Sequence, residues 1–211
     1  MAEGLTRGHK KRARTLEDLL DAAARVFSRR DAILATFIEI AHEARVASGT
    51  VHNYFKSKDE LIEAASQKLV DRVHGPVCAV CERVDDPAER LVILVKSALA
   101  LTAEDPGWGA AMLRLMSATH RTTEKLTSLL PEILDEGQRK QRLAFRDTVA
   151  AQNVVAGAIL GAMRSVSDGV AQGPLGEHVS EHLLLALGLK PAEALKVARK
   201  AKAAPAPPDR V

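Results

Sequence analysis

The side chains best suited to recognition chemistry lie in residues 48–53, where the sequence reads Ser-Gly-Thr-Val-His-Asn. Serine, threonine and asparagine carry short hydrogen-bonding groups that reach the edges of DNA bases, and asparagine can bridge two atoms of adenine in the major groove. Gly49 would let the backbone approach a ligand closely. On the exposed face of a helix, this composition fits the major groove of B-DNA.

Two short helices are predicted to position this segment. Thr36 followed by Glu39 is a capping-box pattern, which predicts that a helix begins there and ends near Ala44. A second helix over residues 48–53 follows the tight connection of residues 44–47. Two short helices around such a turn have helix-turn-helix geometry.

Residues 16–61 resemble the DNA-binding domain of the TetR family of bacterial transcriptional regulators. The likeness depends on an apolar first-helix stripe that ends in Phe27, on the Ile40-Ala41 pair and on the continuous segment 46–61. Within that segment the Gly-Thr, Tyr-Phe and Ser-Lys-Asp-Glu-Leu elements stand at fixed spacing. The likeness covers about a quarter of the chain.

The resemblance implies a set of DNA contacts. Thr36 would cap the second helix and touch a phosphate, while Tyr54 and Lys58 would hold the DNA backbone beside the N-terminus of the fourth helix, whose free N–H groups favour anions. The residues expected to lie in the groove are Ser48, Gly49, Thr50, Val51, His52 and Asn53.

The sequence departs from the family pattern at three places. Asp31-Ala32 replaces the usual glycine and aromatic residue after the first helix. Arg45 replaces the usual turn glycine, so a left-handed backbone there would cost about 1 kcal/mol. His52 stands where tyrosine is common, so an imidazole would replace a phenol in one DNA contact. The base preference of relatives therefore does not transfer to this chain.

The positive charge is concentrated at the N-terminus. The 211 residues have a formal net charge of +3, whereas residues 1–15 hold five lysines and arginines against one glutamate. We expect residues 1–14 to form a flexible basic arm in which Arg14 contacts DNA phosphates, with plain solvated disorder as the alternative.

The composition, 46% hydrophobic and 27% charged, is typical of a soluble globular protein and excludes collagen-like and disordered chains. The basic residues are not followed by the apolar segment of a secretory signal, and the most apolar stretches, residues 91–103 and 149–163, are short or interrupted by polar residues. We therefore expect a cytoplasmic protein without a membrane partner.

Apolar residues recur at helical spacing along the chain, which predicts an all-α fold. Residues 15–60 are assigned to the helix-turn-helix domain. The resemblance implies that residues 61–203 form a helical domain that binds a ligand and dimerises. The alanine- and proline-rich residues 204–211 should be a disordered tail.

Aromatic residues are scarce in the second region, where Trp108 and Phe145 are the two present. A pocket there would be mostly aliphatic and would suit a small apolar effector, although a plain core stripe is the alternative. The expected pocket residues are Trp108, Met112, Leu115, Met116, Phe145, Ile159 and Met163.

Small residues indicate a helix-packing face near the C-terminus. Gly157 and Gly161 lie one turn apart, and the next helix supplies Val179, Leu183 and Leu187. In TetR-like proteins the two C-terminal helices pair with their copies in a four-helix bundle, so the resemblance implies a homodimer on a palindromic DNA operator. Packing inside one subunit is the alternative.

Two further groups have spacings seen in metal or thiol chemistry. Cys78 and Cys81 follow His74 on one helix face, and His178 lies one turn before His182. Zinc would need more ligands, and the sequence contains neither a nucleophile motif nor a phosphate-binding glycine loop. We therefore expect no metal, no cofactor and no catalysis. A metal-dependent helical enzyme using the histidines is an alternative.

Together these patterns predict an all-α homodimeric transcriptional regulator, a repressor that leaves its operator when a small apolar molecule binds. The alternative is a DNA-binding regulator without a small-molecule ligand, controlled by oxidation of Cys78 and Cys81 or by a protein partner.

Overall fold

The computed structural model describes residues 7–118 and 129–206, which form ten α-helices and no strand. The helices are α1 (Arg7–Arg29), α2 (Phe37–Glu43), α3 (Ser48–Tyr54), α4 (Lys58–Cys81), α5 (Pro87–Glu104), α6 (Pro106–Ala118), α7 (Leu129–Arg139), α8 (Thr148–Ser167), α9 (Leu175–Ala186) and α10 (Pro191–Lys200). The all-α prediction is confirmed.

Capping residues set the starts of α2 and α4, because Ser57 followed by Glu60 repeats the capping-box spacing of Thr36 and Glu39. The Thr36 hydroxyl accepts a hydrogen bond from the Glu39 N–H at 3.2 Å, and the Glu39 carboxylate accepts one from the Thr36 N–H at 2.7 Å. At α4 the Ser57 hydroxyl accepts from the Glu60 N–H at 3.2 Å. These bonds satisfy N–H groups that the first turn of a helix leaves without partners.

Both ends of the chain are more ordered than the sequence patterns indicate. Because α1 begins at Arg7, residues 7–14 of the expected flexible arm are helical. Ala204, the first residue of the expected tail, is 8% exposed, and its N–H donates to the Ser97 hydroxyl at 2.8 Å. A segment of low hydrophobicity is held here by a hydrogen bond from its backbone to a buried serine side chain. Amino-acid composition does not reveal such a contact. Residues 1–6 and 207–211 lie outside the described residues.

Helical spacing of the apolar residues in the second region predicts helices over residues 122–139 and 147–171. The second of these ends at Ser167, since Gly169 follows it with a φ of 68°. The first residues of the other helix lie outside the described part of the chain.

The N-terminal core is built where α1, α2, α3 and the start of α4 meet. Large buried side chains from each element pack there, and α1 supplies a continuous stripe at helical spacing. These residues are Leu19, Phe27, Ile40, Val51, Phe55 and Leu61. This packing holds α2 and α3 in place.

Helix α4 continues out of this core into the helical bundle and is fixed to the junction of α5 and α6. The Arg72 guanidinium pairs with the Asp105 carboxylate at 2.7 Å, and both side chains are nearly buried. Asp105 also accepts from the Trp108 N–H at 3.0 Å and so starts α6. The Trp108 indole N–H donates to the Leu69 carbonyl of α4 at 2.9 Å. Polar contacts therefore position α4 against the bundle.

Helix α6 also contacts the N-terminal region directly. The Arg114 guanidinium donates to the carbonyl of Ser28, near the end of α1, at 2.9 Å. The two regions of the chain are thus joined through α6 as well as through α4.

Helix α8 is long and apolar enough, by length and composition, to cross a membrane, contrary to our expectation from its polar interruptions. Only 28% of its most apolar window is buried. A single such helix is weak grounds for a membrane span, because apolar helices at the core or interface of other proteins have the same composition.

We expect Arg72→Met to lower the free energy of unfolding by about 3–5 kcal/mol, because it removes the ion-pair partner of a buried carboxylate. Arg199→Met is the matched control, because it breaks the more exposed pair with Glu177 and should cost about 1 kcal/mol or less. Urea unfolding followed by circular dichroism measures both. Equal losses would contradict a special role of the Arg72–Asp105 pair.

Candidate nucleic-acid interface

Helix α3 presents a small polar face to solvent. Ser48, Gly49, His52 and Asn53 are exposed, and Thr50 is half-buried. A Cβ at Gly49 would meet nothing within 4 Å, so the backbone there is open to a close approach. The composition expected of a base-reading face is therefore brought together on one accessible surface.

The expectation that Val51 lies in the groove is wrong. Its side chain is fully buried, and Phe55 immediately after the helix is 3% exposed. A seven-residue helix depends on tertiary packing to persist, and Val51 is the buried side chain of α3 that supplies it. Val51 therefore supports the reading face without contacting DNA.

His52 is positioned by an aromatic neighbour that the sequence patterns did not identify as part of the site. The rings of His52 and Phe37 have centroids 4.8 Å apart with an interplanar angle of 67°. This edge-to-face contact orients the imidazole while leaving it exposed. The signal in the sequence was a large aromatic residue at the start of α2, which is only half-buried.

The turn between α2 and α3 keeps the left-handed geometry that a glycine would adopt freely. Arg45 has a φ of 56°, its N–H donates to the His42 carbonyl at 3.1 Å, and the Val46 N–H donates to the Ala41 carbonyl at 3.0 Å. This is the Schellman arrangement of a helix C-terminus. Arginine at this position costs about 1 kcal/mol relative to an unstrained residue.

Tyr54 and Lys58 are both half-buried and already hydrogen-bonded. The Tyr54 hydroxyl donates to the Arg12 carbonyl at 3.2 Å, and the Arg12 guanidinium lies 5.3 Å from the centre of the Tyr54 ring. The Lys58 ammonium donates to the Ile33 carbonyl. An ammonium has three N–H donors, so Lys58 retains donors for a phosphate.

Thr36 is exposed at the start of α2, where its hydroxyl is bonded to Glu39. Hydrogen bonds from Thr36, together with the nearby Arg30 guanidinium, hold the pKa of Glu39 below its usual value. The hydroxyl that the resemblance assigns to a phosphate contact thus lies beside an ionised carboxylate. Arg30 pairs with that carboxylate at 2.5 Å and offsets its charge.

The residues expected to line an effector pocket lie mostly in the core. Trp108, Met112, Leu115 and Met163 are fully buried, and Phe145, which follows α7 in the chain, is half-buried. Buried side chains can also line an internal cavity, so the place of these residues beside an effector stays a prediction.

A narrow apolar pocket lies among α5, α6, α7 and α8. Its cavity volume of about 10 Å³ is room for a single water molecule, so a larger molecule enters only if these helices move apart. Of the predicted residues, Met116 and Ile159 border the pocket. Its full lining is Leu94, Ala98, Met116, Leu130, Ala156, Ile159 and Leu160. The lining is aliphatic, as the scarcity of aromatic residues predicts.

The two glycines of α8 lie on an open helix face. Neither Gly157 nor Gly161 would bring a Cβ within 4 Å of another group, and Val154 beside them is 53% exposed. On α9, by contrast, Leu183 and Leu187 are 4% and 2% exposed and belong to the core, so assigning them to a dimer interface is wrong. Their apolar stripe faces the protomer's own bundle.

Residues His178, His182 and Leu185 form the exposed side of α9. Val179 is half-buried at its edge. The His182 Nδ1 lies 2.7 Å from the His178 carbonyl. Within residues 7–118 and 129–206 there is no group of three or more residues that could hold a metal ion.

The two thiols lie in a poor environment for thiolate chemistry. Cys78 Sγ is 3.5 Å from His74 Nδ1. Burial raises the pKa of Cys78, and burial raises the pKa of Cys81 to about 11. Since the thiolate is the reactive form, this environment disfavours rapid oxidation.

Comparison with known proteins shows two family matches. Residues 19–65 match the family described as bacterial regulatory proteins, tetR family, and residues 86–200 match the tetracyclin repressor-like C-terminal domain. The HTH-type transcriptional regulator BetI of Rhizobium meliloti is 30% identical over 106 residues, which are 50% of this chain and 52% of BetI. The chain thus spans about half the length of this curated relative.

Two solved structures have the same fold. RolR in complex with resorcinol is 21% identical with a TM-score of 0.68, covering 92% of this chain and 97% of RolR. FadR of Bacillus subtilis in complex with stearoyl-CoA is 20% identical with a TM-score of 0.66, covering 80% and 97%. Since the C-terminal family match alone extends over more than half of the 211 residues, the chain belongs to the TetR family of bacterial transcriptional regulators.

Proposed function

We propose that this regulator is a cytoplasmic homodimeric repressor that binds a palindromic operator through α3 and leaves it when a small apolar molecule binds. The observation that carries the proposal is the polar face of α3, where Ser48, Gly49, His52 and Asn53 are exposed above the buried Val51. A face of short polar side chains on a rigidly seated helix suits base reading in the major groove.

The roles on DNA divide into reading and positioning. Ser48, Thr50, His52 and Asn53 are assigned to base edges, because hydrogen bonds in the groove carry the sequence information. Gly49 permits close approach of the backbone.

The positioning residues are assigned to phosphates. Lys58 has spare N–H donors, and Arg14 is exposed on α1. Tyr54 and Thr36 would contact phosphate by exchanging or sharing the hydrogen bonds that they make within the protein.

Dimerisation is proposed through the open faces of α8 and α9. The space over Gly157 and Gly161 admits a helix at close range, and the exposed Val149, Val154 and Leu185 supply apolar area. A two-fold axis at this face would make a self-complementary interface and present two copies of α3 to the half-sites of a palindrome. Coverage by a second copy also accounts for the apolar composition of α8.

The effector is proposed to enter the aliphatic pocket among α5–α8. RolR was solved with resorcinol and FadR with stearoyl-CoA, which provides chemical starting points for a search. Met116 of α6 borders the pocket, while Trp108 and Arg114 on the same helix contact α4 and α1. A ligand that displaces α6 would therefore shift both helices that support α3. The free energy of DNA binding would weaken by the difference between the ligand's binding energies for the DNA-free and the DNA-bound conformations.

The operator can be selected from genomic DNA fragments with the wild-type protein, and the reading assignment then tested on it. Asn53→Ala should relax preference at one base position and cost about 1–3 kcal/mol of binding. Lys58→Ala should weaken binding to all sequences alike and make the slope of log affinity against log salt shallower by about 2, because the dimer loses one phosphate contact in each protomer. Titrations on selected and scrambled duplexes measure both. Identical behaviour of the two variants would contradict the division into reading and positioning residues.

Gly157→Leu and Gly161→Leu should produce monomers that no longer bind the palindrome, because the leucine side chains hold the paired helices apart. Within the protomer the added side chains meet open space, and leucine favours a helix over glycine by about 0.8 kcal/mol, so the fold should not suffer. Light scattering at micromolar concentration measures the mass, and Ala103→Leu on an exposed site of α5 is the control. A dimeric Gly161→Leu protein would place the interface elsewhere.

Ala98→Leu should fill the pocket and abolish release by an effector while operator affinity stays at the wild-type level. Added methylene groups in a narrow site cost about 1–3 kcal/mol of stability, which denaturation will show separately. Effectors are first identified by release of wild-type protein from the operator, beginning with resorcinol and long-chain acyl-CoA. Ala103→Leu serves as the matched substitution outside the pocket. Unaltered release from Ala98→Leu would show that the effector binds elsewhere.

A further inference from the structure

The first two turns of α1 form a basic helical extension, defined here as residues 7–14. The first fully buried side chain of α1 is Leu19, and every side chain from residue 8 to residue 14 is exposed. The extension carries five cationic residues and no acidic one. They are Arg7, Lys10, Lys11, Arg12 and Arg14.

The basic helical extension is held beside the reading helix. Tyr54, the last residue of α3, donates its hydroxyl to the Arg12 carbonyl at 3.2 Å, and the Arg12 guanidinium lies 5.3 Å from the centre of its ring. Since a helix rises about 1.5 Å per residue, Lys10 and Lys11 lie within about 3 Å of Arg12 along the axis. Their positions are therefore tied to the end of α3.

The charges of the basic helical extension are not neutralised by the rest of the described chain. In residues 7–118 and 129–206, Lys10, Lys11 and Arg14 take part in no ion pair. The nearby carboxylates of Glu17 and Asp21 both pair with Lys68 of α4, at 2.5 and 2.7 Å. Lys10, Lys11 and Arg14 thus face solvent without an acidic partner in the described part of the chain.

This charge arrangement opposes helix stability. The N-terminal end of a helix has a partial positive charge. Each cationic side chain there therefore lowers the stability of the helix by a few tenths of a kcal/mol, whereas an acidic side chain would raise it. The first turn of α1 contains no acidic residue. A polyanion lying along the extension would remove this repulsion and release its own counterions on binding.

We propose that the basic helical extension is a second DNA-binding element, which binds the phosphate backbone next to the base pairs read by α3. This inference builds on the proposed function. It replaces a flexible arm with a rigid helix, so the phosphates that it contacts have a fixed position relative to the operator. Tyr54 acts here as a positioning residue that sets the extension against α3 through the contact of its ring with the Arg12 guanidinium, and this role leaves its hydroxyl available for a phosphate.

The test replaces Lys10, Lys11 and Arg14 together by glutamine, which has nearly the same helix propensity as lysine and arginine. Circular dichroism of the full chain checks that the helix content is kept. The control makes the same change of charge at three exposed positions without a described ion pair. These are Arg139→Gln, Lys190→Gln and Lys196→Gln.

Operator affinity is measured over a range of salt concentrations. The extension variant should have a slope of log affinity against log salt that is shallower by about 5, since each phosphate contact contributes about 0.9 and the dimer loses three cations from each protomer. The control should keep the wild-type slope. Phosphate ethylation interference should identify discrete phosphates that matter for the wild type and not for the variant. Preference for operator over scrambled duplex should be preserved, because the extension reads no bases.

Three results would overturn the inference. A wild-type salt slope in the extension variant would exclude the phosphate contacts. An equal decrease of the salt slope in the control variant would show that net charge, and not the position of the cations, determines the slope. A wild-type slope combined with lost binding to phosphatidylserine vesicles would assign the patch to a membrane surface. If wild-type protein failed to prefer any selected operator, the proposed function itself would fail, which is a separate outcome.

Discussion

A seven-residue helix does not persist by itself in water, and both α2 and α3 are seven residues long. Their shape depends on burying Ile40 and Ala41 from α2 and Val51 from α3 in the core shared with α1 and α4. The base-reading face is therefore as rigid as α1 and α4 make it. Any change that moves these two long helices also moves the polar face of α3.

The long helices are in turn positioned from the C-terminal region. Arg72 and Asp105 join α4 to the junction of α5 and α6, Trp108 donates to the Leu69 carbonyl, and Arg114 reaches the end of α1. Helix α6 thus touches both supports of the reading face. Because the core between them is close-packed, a displacement of α6 by a ligand would be transmitted as movement of whole helices.

The surfaces left open by this packing have distinct chemistries. The free face of α8 has exposed glycines and apolar side chains, which are suited to another helix. The basic helical extension has cations that form no ion pair with the described residues, and these are suited to a polyanion. The thiols are buried enough to raise the pKa of both, so oxidation control fits the structure less well than a small-molecule effector.

The sequence by itself determined the local features: the capping bonds at Thr36 and Ser57, the all-α class and the composition of the polar face of α3. Short-range hydrogen bonding and steric limits depend on residues that are neighbours in the chain, so a short stretch of sequence is enough to predict them. The tertiary structure alone decided which side of each apolar stripe is covered. Val51, Met112 and Leu183 are buried within the protomer, and residues 7–14 and Ala204 are ordered by contacts with distant parts of the chain. Helical periodicity shows that a face is apolar, but the neighbour that covers it depends on how all ten described helices pack.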